Sequence, residues 1–245
     1  MQVLLFVGRW RLGLMFAIGA SVRVRGAAGD RSPGSIGAFA TNADGVWLIS
    51  ANHVLAANGA FLPTADPSHG VYLGEQRVSR TIVFRTLHRA GNRADAAACL
   101  LAAPCLAAPC LLAAPGGFRP VWPRGWKPSP QPFTPPVRAR VKIFAAGQER
   151  FGIVSHRGVF RVSMRDAGFP GPLGEVEFLD SILVRTTDPM FRRPGNSGSL
   201  VVTQTGCRPV GLITGTSMEH GSDYVVVSLL AHVLDALGLP GQILV

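Results

Sequence analysis

Lysine is nearly missing from this sequence. Of its 24 cationic side chains only Lys127 and Lys142 are lysine; the rest are arginines scattered along the chain, neither gathered in one run nor interleaved with aromatics. A net charge of +10 would otherwise invite a nucleic-acid or anionic-membrane reading, because clustered cations gain by releasing counterions from phosphates. Without the cluster the charge reads as an arginine-rich composition, and no nucleic-acid partner is expected. Long apolar runs are lacking too. No stretch reaches the ~20 residues that a spanning helix needs, so stable membrane insertion is not expected. There is no phosphate-cradling Gly-Lys-Ser loop and no dinucleotide fingerprint, and the histidines and cysteines do not fall into the paired spacings of a zinc site. Nothing in the chain requires a metal or a cofactor. Cysteine is sparse: Cys99, Cys105 and Cys110 sit in an alanine-rich stretch containing the repeat Leu-Ala-Ala-Pro-Cys, and Cys207 lies far away. That pattern allows a disulfide without implying one, and reads more simply as buried thiols acting as small hydrophobes.

What is present is apolar residues, glycine and proline. A hydrophobic share of 47% against 16% charged, in 245 residues, argues for a buried core rather than disorder. With 29 Gly and 19 Pro and few helical runs, the chain reads as all-β, many short strands joined by turns. Apolar runs broken by turn residues mark a hairpin at 36–41 and 46–50, then strands at 70–73 and 78–84. The run 96–101 fits a strand or an alanine-rich helix. Eight prolines fall between Pro115 and Pro136, where they break both helix and central strand. Strands resume at 138–144, 152–154, 158–163, 182–186, 199–203, 210–214 and 224–227. A terminal helix at 228–237 places Leu229, Leu230, Val233, Leu234 and Leu237 on one face, with Gly238 as its stop. The resulting layout is an N-terminal apolar segment at 1–19, a first β-barrel at 20–114, a proline-rich linker at 115–137, and a second β-barrel plus helix at 138–245. Arg9 and Arg11 before the run from Leu12 to Val22, with Ala27 and Ala28 after it, sketch a secretory signal or a region upstream of a start at Met15. Arg23 and Arg25 interrupt that sketch, and 20–25 alternates like a first strand, so the cytoplasm is favoured over export.

Three segments carry chemistry. Pro194-Gly195-Asn196-Ser197-Gly198-Ser199-Leu200-Val201-Val202 is a small-residue turn running into an apolar strand. A serine hydroxyl attacks a carbonyl effectively only if its proton has a destination and the oxyanion meets fixed donors. The flanking glycines let the backbone turn tightly enough for the Gly195 and Ser197 amides to point at one oxygen. The competing reading is a plain tight turn before a strand. Upstream, Gly45 to Leu55 ends an apolar strand with His53 at its polar edge, where an imidazole could hold the serine's proton near neutral pH or be a satisfied turn histidine. Between them, Asn92-Arg93-Ala94-Asp95-Ala96-Ala97 opens an apolar run with one carboxylate. A buried carboxylate needs a partner such as an imidazole N–H; alternatively Asp95 caps a helix.

Together these segments resemble the trypsin-like peptidase superfamily, whose members carry His, Asp and Ser in that chain order. Ser-Ala-Asn-His-Val, Asn-Arg-Ala-Asp-Ala-Ala and Pro-Gly-Asn-Ser-Gly-Ser-Leu-Val-Val look most like bacterial relatives of the plant narrow-leaf proteins, and the Asn-His and Gly-Asn-Ser-Gly pieces are also similar to HtrA proteases. The resemblance covers roughly Ala20 to Leu239. It implies two chymotrypsin-like six-stranded barrels and a serine endopeptidase acting on protein or peptide substrates. His53 would be base and then acid, Asp95 its orienter, Ser197 the nucleophile, and the Gly195 and Ser197 amides the oxyanion hole. It also implies a substrate pocket near Phe191, Thr214, Gly215 and Thr216, on the strand that contains Val210 to Gly215. Departures limit the transfer. No cysteine neighbours His53 or Ser197. Asn196 stands where digestive trypsins carry an aspartate that pairs with a new N-terminus. Phe191, six residues before Ser197, stands where trypsin places an acid, so basic specificity is not supported and an apolar or shallow pocket is expected. The rival readings are a catalytically silent domain of this type used as a binding module, and an α/β-hydrolase with Asp223 and His232 as partners. The second fails at Ser199, where Gly-x-Ser-x-Gly needs a glycine.

Overall fold

The computed structural model describes residues 16–26, 29–30, 33–59, 69–79, 81–101, 120–145, 148–164, 174–193, 195–239, 241 and 243–245. Cys105 and Cys110, the charged residues Arg9 and Arg11, Ala27 and Ala28, and Pro194 lie outside them. The fold is all-β with a C-terminal helix, as the composition leads one to expect. The first half contains β1 (Ser21–Gly26), β2 (Gly29–Asp30), β3 (Gly34–Ser35), β4 (Ala38–Asn42), β5 (Gly45–Ser50), β6 (Gly70–Leu73), β7 (Gln76–Ser79), β8 (Thr81–Phe84) and β9 (Ala97–Leu100). A short helix α1 (Asn52–Leu55) follows β5 directly. These strands form two antiparallel sheets, one in the order β2-β1-β6-β7 with β3 also on β1, the other β4-β5-β9-β8. The second half contains β10 (Arg140–Ala145), β11 (Gln148–Ser163), β12 (Glu175–Arg185), β13 (Leu200–Thr203), β14 (Pro209–Thr216) and β15 (Tyr224–Leu229), which close into a barrel in the order β10-β11-β12-β15-β14-β13. Helix α2 (Leu230–Ala236) continues from β15 without a turn.

Several local expectations change. Residues 97–100 are strand, not helix: although alanine favours helix, this segment pairs on one side with β5 and on the other with β8, and Ala97, Ala98 and Cys99 are fully buried between them. Ladder pairing to both neighbours outweighs alanine's modest helix preference. The single strand read at 78–84 is two strands in different sheets. Their junction is held by Ser79, whose hydroxyl shares its one proton between the carbonyls of Leu100 (2.5 Å) and Thr81 (3.0 Å) and accepts the Thr81 N–H (3.1 Å). The two short strands read at 152–154 and 158–163 are one 16-residue strand, β11, whose pairing with β12 slips at two bulges, between Val154 and His156 and between Gly158 and Phe160. Bulges interrupt the alternation that marks a continuous strand in sequence.

One apolar cluster fills the first half and draws in Leu230, Val233 and Leu234 of α2; a second fills the closed barrel. Phe16 and Ile18, within the apolar run near the N-terminus, are buried in the first cluster. From Pro120 onward the proline-rich segment is held against both halves. Trp126 packs into the first cluster, Phe133 donates its backbone N–H to Pro209 O (2.7 Å), and Arg138 donates to Val154 O (2.7 Å). Cys99 and Cys207 are both buried, in keeping with thiols used as small hydrophobes. No helix among the described residues is long and apolar enough to cross a membrane.

Candidate active site

Antiparallel pairing brings two of the three expected residues to one sheet edge. Ser50, the last residue of β5, pairs with Ala97, the first of β9. The chain running out of β5 and the chain running into β9 therefore meet, which sets His53 beside Asp95. Asp95 is completely buried. Its Oδ2 lies 2.5 Å from His53 Nδ1, and its Oδ1 accepts the His53 backbone N–H at 3.2 Å. Desolvating a lone carboxylate costs several kcal/mol, roughly, so these donors are the condition for its being there at all. Because a carboxylate only accepts, the neutral ring carries its proton on Nδ1 and leaves the Nε2 lone pair as the basic site. The imidazole side chain retains 16% exposure, enough to reach a reacting group at the surface.

The second half braces this pair from behind. The Asp95 backbone N–H donates to Ser228 Oγ (3.1 Å), and Ser228 Oγ is 2.9 Å from Thr214 Oγ1; both hydroxyls are buried. Asn52, the residue before His53, donates from Nδ2 to Arg85 O (2.5 Å) and accepts the Asn58 N–H at Oδ1 (2.8 Å). Ser228 and Asn52 escaped the sequence reading. For Ser228 a signal existed: it is one polar residue inside the run Val225–Leu230, and a hydroxyl in so apolar a strand needs a buried partner.

Ser197 lies in a turn that only glycine-flanked backbone can form: Gly195 has φ +98° and Gly198 φ +82°. Gly198 N–H donates to Ile213 O (2.8 Å) and Ser199 N–H to Asn196 O (2.9 Å), which fixes the turn on β14. The amides of Gly195 and Ser197, by contrast, donate to no group among the described residues. The turn is docked on the first half. Ser35 N–H donates to Ser197 O (2.9 Å), Ser35 Oγ to Gly195 O (2.8 Å), and Ser50 Oγ to Ser35 O (2.8 Å). A Cβ on Gly198 would lie 2.1 Å from Ser50 Oγ, and one on Gly34 would lie 2.4 Å from a Val54 methyl and 3.0 Å from Ser197 O. The serine turn is thus pressed against the residues that flank His53 on either side. Asn196 Nδ2 donates to the carbonyls of Met190 (2.5 Å) and Phe191 (3.2 Å), so a neutral amide holds the segment that precedes the turn.

The expected pocket residues divide. Phe191 does not line a pocket; its ring is completely buried in the apolar interior of the closed barrel, where so large a hydrocarbon surface gains most by leaving water. Thr214 is also buried, its hydroxyl spent on Ser228. Gly215 is half-buried under Val162, and Thr216 is exposed. Arg192 closes this side by bonding Ser222 O (2.5 Å) and pairing with Asp223, which joins the chain before the serine turn to the β14–β15 connection. Just past Thr216, Ser217 Oγ holds His220 Nδ1 at 3.2 Å, and the His220 ring contacts those of His156, Phe160 and Tyr224. On the other side a cavity of about 430 Å³ adjoins Gly195 and Asn196, bounded by Gly19, Ser35, Phe144 and Arg193. Among the described residues no group of three or more His, Cys, Asp or Glu side chains is placed to hold a metal ion.

No family model and no curated protein matches the sequence. Solved structures do match in three dimensions. A Nocardiopsis protease superposes with a TM-score of 0.55 at 18% identity over 94% of this chain and 99% of its own. Thermobifida fusca protease A gives 0.55 at 13% identity over 94% and 98%. Cellulomonas bogoriensis chymotrypsin gives 0.52 at 19% identity over 94% and 98%. At these identities the likeness is one of architecture, and the architecture is the chymotrypsin-like two-barrel fold of serine proteases.

Proposed function

We propose that the chain is a serine endopeptidase that hydrolyses peptide bonds of protein or peptide substrates through an acyl-enzyme on Ser197. The observation that carries this reading is the buried Asp95 carboxylate on His53 Nδ1, at the same sheet edge against which the Ser197 turn is docked. His53 Nε2 accepts the Ser197 hydroxyl proton as Oγ attacks the scissile carbonyl carbon. The tetrahedral oxyanion is received by the Gly195 and Ser197 amides, which have no other acceptor among the described residues. His53 then passes the proton to the leaving amine, and a water molecule repeats the sequence to release the acid. Asp95 holds the ring's tautomer and stabilises the imidazolium formed midway. The finer kinship with the bacterial relatives of narrow-leaf proteins, and with HtrA proteases, rests on the His53, Asp95 and Ser197 motifs alone.

Labelling the purified protein with a fluorophosphonate probe tests the reading. Labelling of the parent, lost in both Ser197→Ala and His53→Ala, is the expected result. Equal labelling of parent and variants, or none in any, would leave a silent domain that binds other proteins.

A further inference from the structure

Away from the serine turn, a cavity of about 310 Å³ opens between the segment from Arg85 to Ala94 and helix α2. That volume lies at the lower end of the range for small-molecule sites. Its walls carry Arg85, His88, Arg93, His232 and Asp235. The Arg85 guanidinium has no partner among the described residues. Arg93 Nη2 lies 3.1 Å from His232 Nε2. Arg93 can only donate to Nε2 and the Asp180 carboxylate, 3.3 Å from the same nitrogen, can only accept from it, so the two favour opposite tautomers of the ring. The other ring nitrogen, Nδ1, is shielded from solvent and has no hydrogen-bond partner. Around His232 the charged groups come from every neighbouring element. Asp180 of β12 sits 3.3 Å from Nε2, 2.7 Å from Arg157 of β11 and 4.0 Å from Arg93, and Asp235 stands on α2 itself. The cavity wall itself carries two guanidiniums, Arg85 and Arg93, against the one carboxylate of Asp235, so cationic donors are in excess there.

We propose that this cavity binds a tetrahedral oxyanion, phosphate or a phosphate monoester, through the guanidiniums of Arg85 and Arg93. Planar, forked donors suit such an anion, and the walls are already fixed. Asn92 closes the 88–92 loop by accepting the His88 N–H (2.9 Å) and donating to His88 O (2.6 Å) and Glu177 O (2.9 Å). Arg85 is tied at both backbone groups, its N–H to Ala96 O (3.1 Å) and its O to Asn52 Nδ2. The site therefore adjoins the two segments that carry His53 and Asp95. Burial and Arg93 hold the His232 ring below the usual histidine range; an added anion offsets both effects, so protonation and binding reinforce one another.

Isothermal titration of the full chain with inorganic phosphate, at pH 8 where the dianion predominates and at constant ionic strength set by chloride, tests this. Saturable binding is expected, at least about tenfold weaker in Arg85→Gln and in Arg93→Gln. Both arginines are exposed, so circular dichroism of the variants should match the parent. A parallel titration with O-phosphoserine identifies the source: tighter binding than phosphate marks a monoester, equal binding a free ion. Absence of saturable binding of either, or equal affinity in folded Arg85→Gln and Arg93→Gln, overturns the proposal. Ser197→Ala is expected to bind as the parent does, which keeps this result separate from the peptidase reading.

Discussion

At the scale of single residues, the site is defined by which polar atoms are satisfied and which are not. Asp95 is buried without exposure and can be so because His53 supplies two donors. In Asp95→Asn the amide can donate to Nδ1, which moves the ring proton to Nε2 and removes the base. Turnover is expected to fall on the order of 10⁴-fold, the loss known for this substitution in trypsin-like enzymes, and steady-state hydrolysis of a peptide ester measures it. A mild loss would leave Asp95 a structural partner of His53 without a part in turnover. Ser197 has the opposite character: its hydroxyl has no hydrogen-bond partner among the described residues. Ser197→Ala is expected to abolish turnover while moving the thermal midpoint by no more than about 2 °C, the range of a surface substitution in a chain of this size. Ser228 lies between these cases. Ser228→Ala leaves the buried Asp95 N–H and Thr214 hydroxyl unsatisfied, a cost of roughly 1–3 kcal/mol, and calorimetry should show a midpoint lower by several degrees.

At the scale of elements, close approach of backbones decides where glycine stands. Gly215 of β14 lies under Val162 of β11, and a Cβ there would sit 2.5 Å from a Val162 methyl. Gly215→Ala is therefore expected to destabilise by about 1–3 kcal/mol, as overpacking does. Val162→Ala in the same chain removes the colliding methyl and should recover part of that loss. A double-mutant cycle by urea denaturation reads the coupling, and strictly additive effects would show that the two residues do not meet. The same contact shows why β11 is long: past its second bulge it extends over the β14–β15 connection, where Val162 bridges Ser217.

At the scale of the whole molecule, the two halves are joined through the site and through the linker. Lys142 of β10 and Trp126 of the linker both bond Glu149 of β11, and the Lys142 bond, with Trp126 adding to it, holds the Glu149 carboxyl below its ordinary range. A carboxyl depressed in the folded state binds fewer protons there than in the unfolded chain. Its contribution is present above the unfolded value of 4.5 and is lost as pH falls through the folded one. Asp180, lowered chiefly by Arg157, has the same sign. Thermal midpoints measured between pH 6 and pH 3 should fall with acid in the parent and fall less steeply in Glu149→Gln, with Trp126 fluorescence changing earliest. Parallel slopes in the two proteins would show that Glu149 does not tether the linker.

Much of this is legible in the sequence. Turn residues and apolar runs located most strands, because a half-buried strand must alternate and a turn must admit unusual φ values. The three segments around His53, Asp95 and Ser197 stood out because each sets one reactive group at the end of an apolar run. Register was not legible, and it is register that sets Ser50 opposite Ala97 and so His53 beside Asp95. Nor was the burial of Phe191, because one face of a local sequence does not reveal which cavity it will meet. The support that Ser228, Thr214, Ser35 and Asn52 give joins residues far apart in the chain, 133 positions for Ser228 with Asp95 and 160 for Ser35 with Gly195. Local propensity is fixed by neighbours in the chain, and so the sequence by itself determined most strands and turns and the positions of the candidate side chains along them. Satisfying buried polar groups requires partners from the other half of the molecule, and those only the tertiary structure decided.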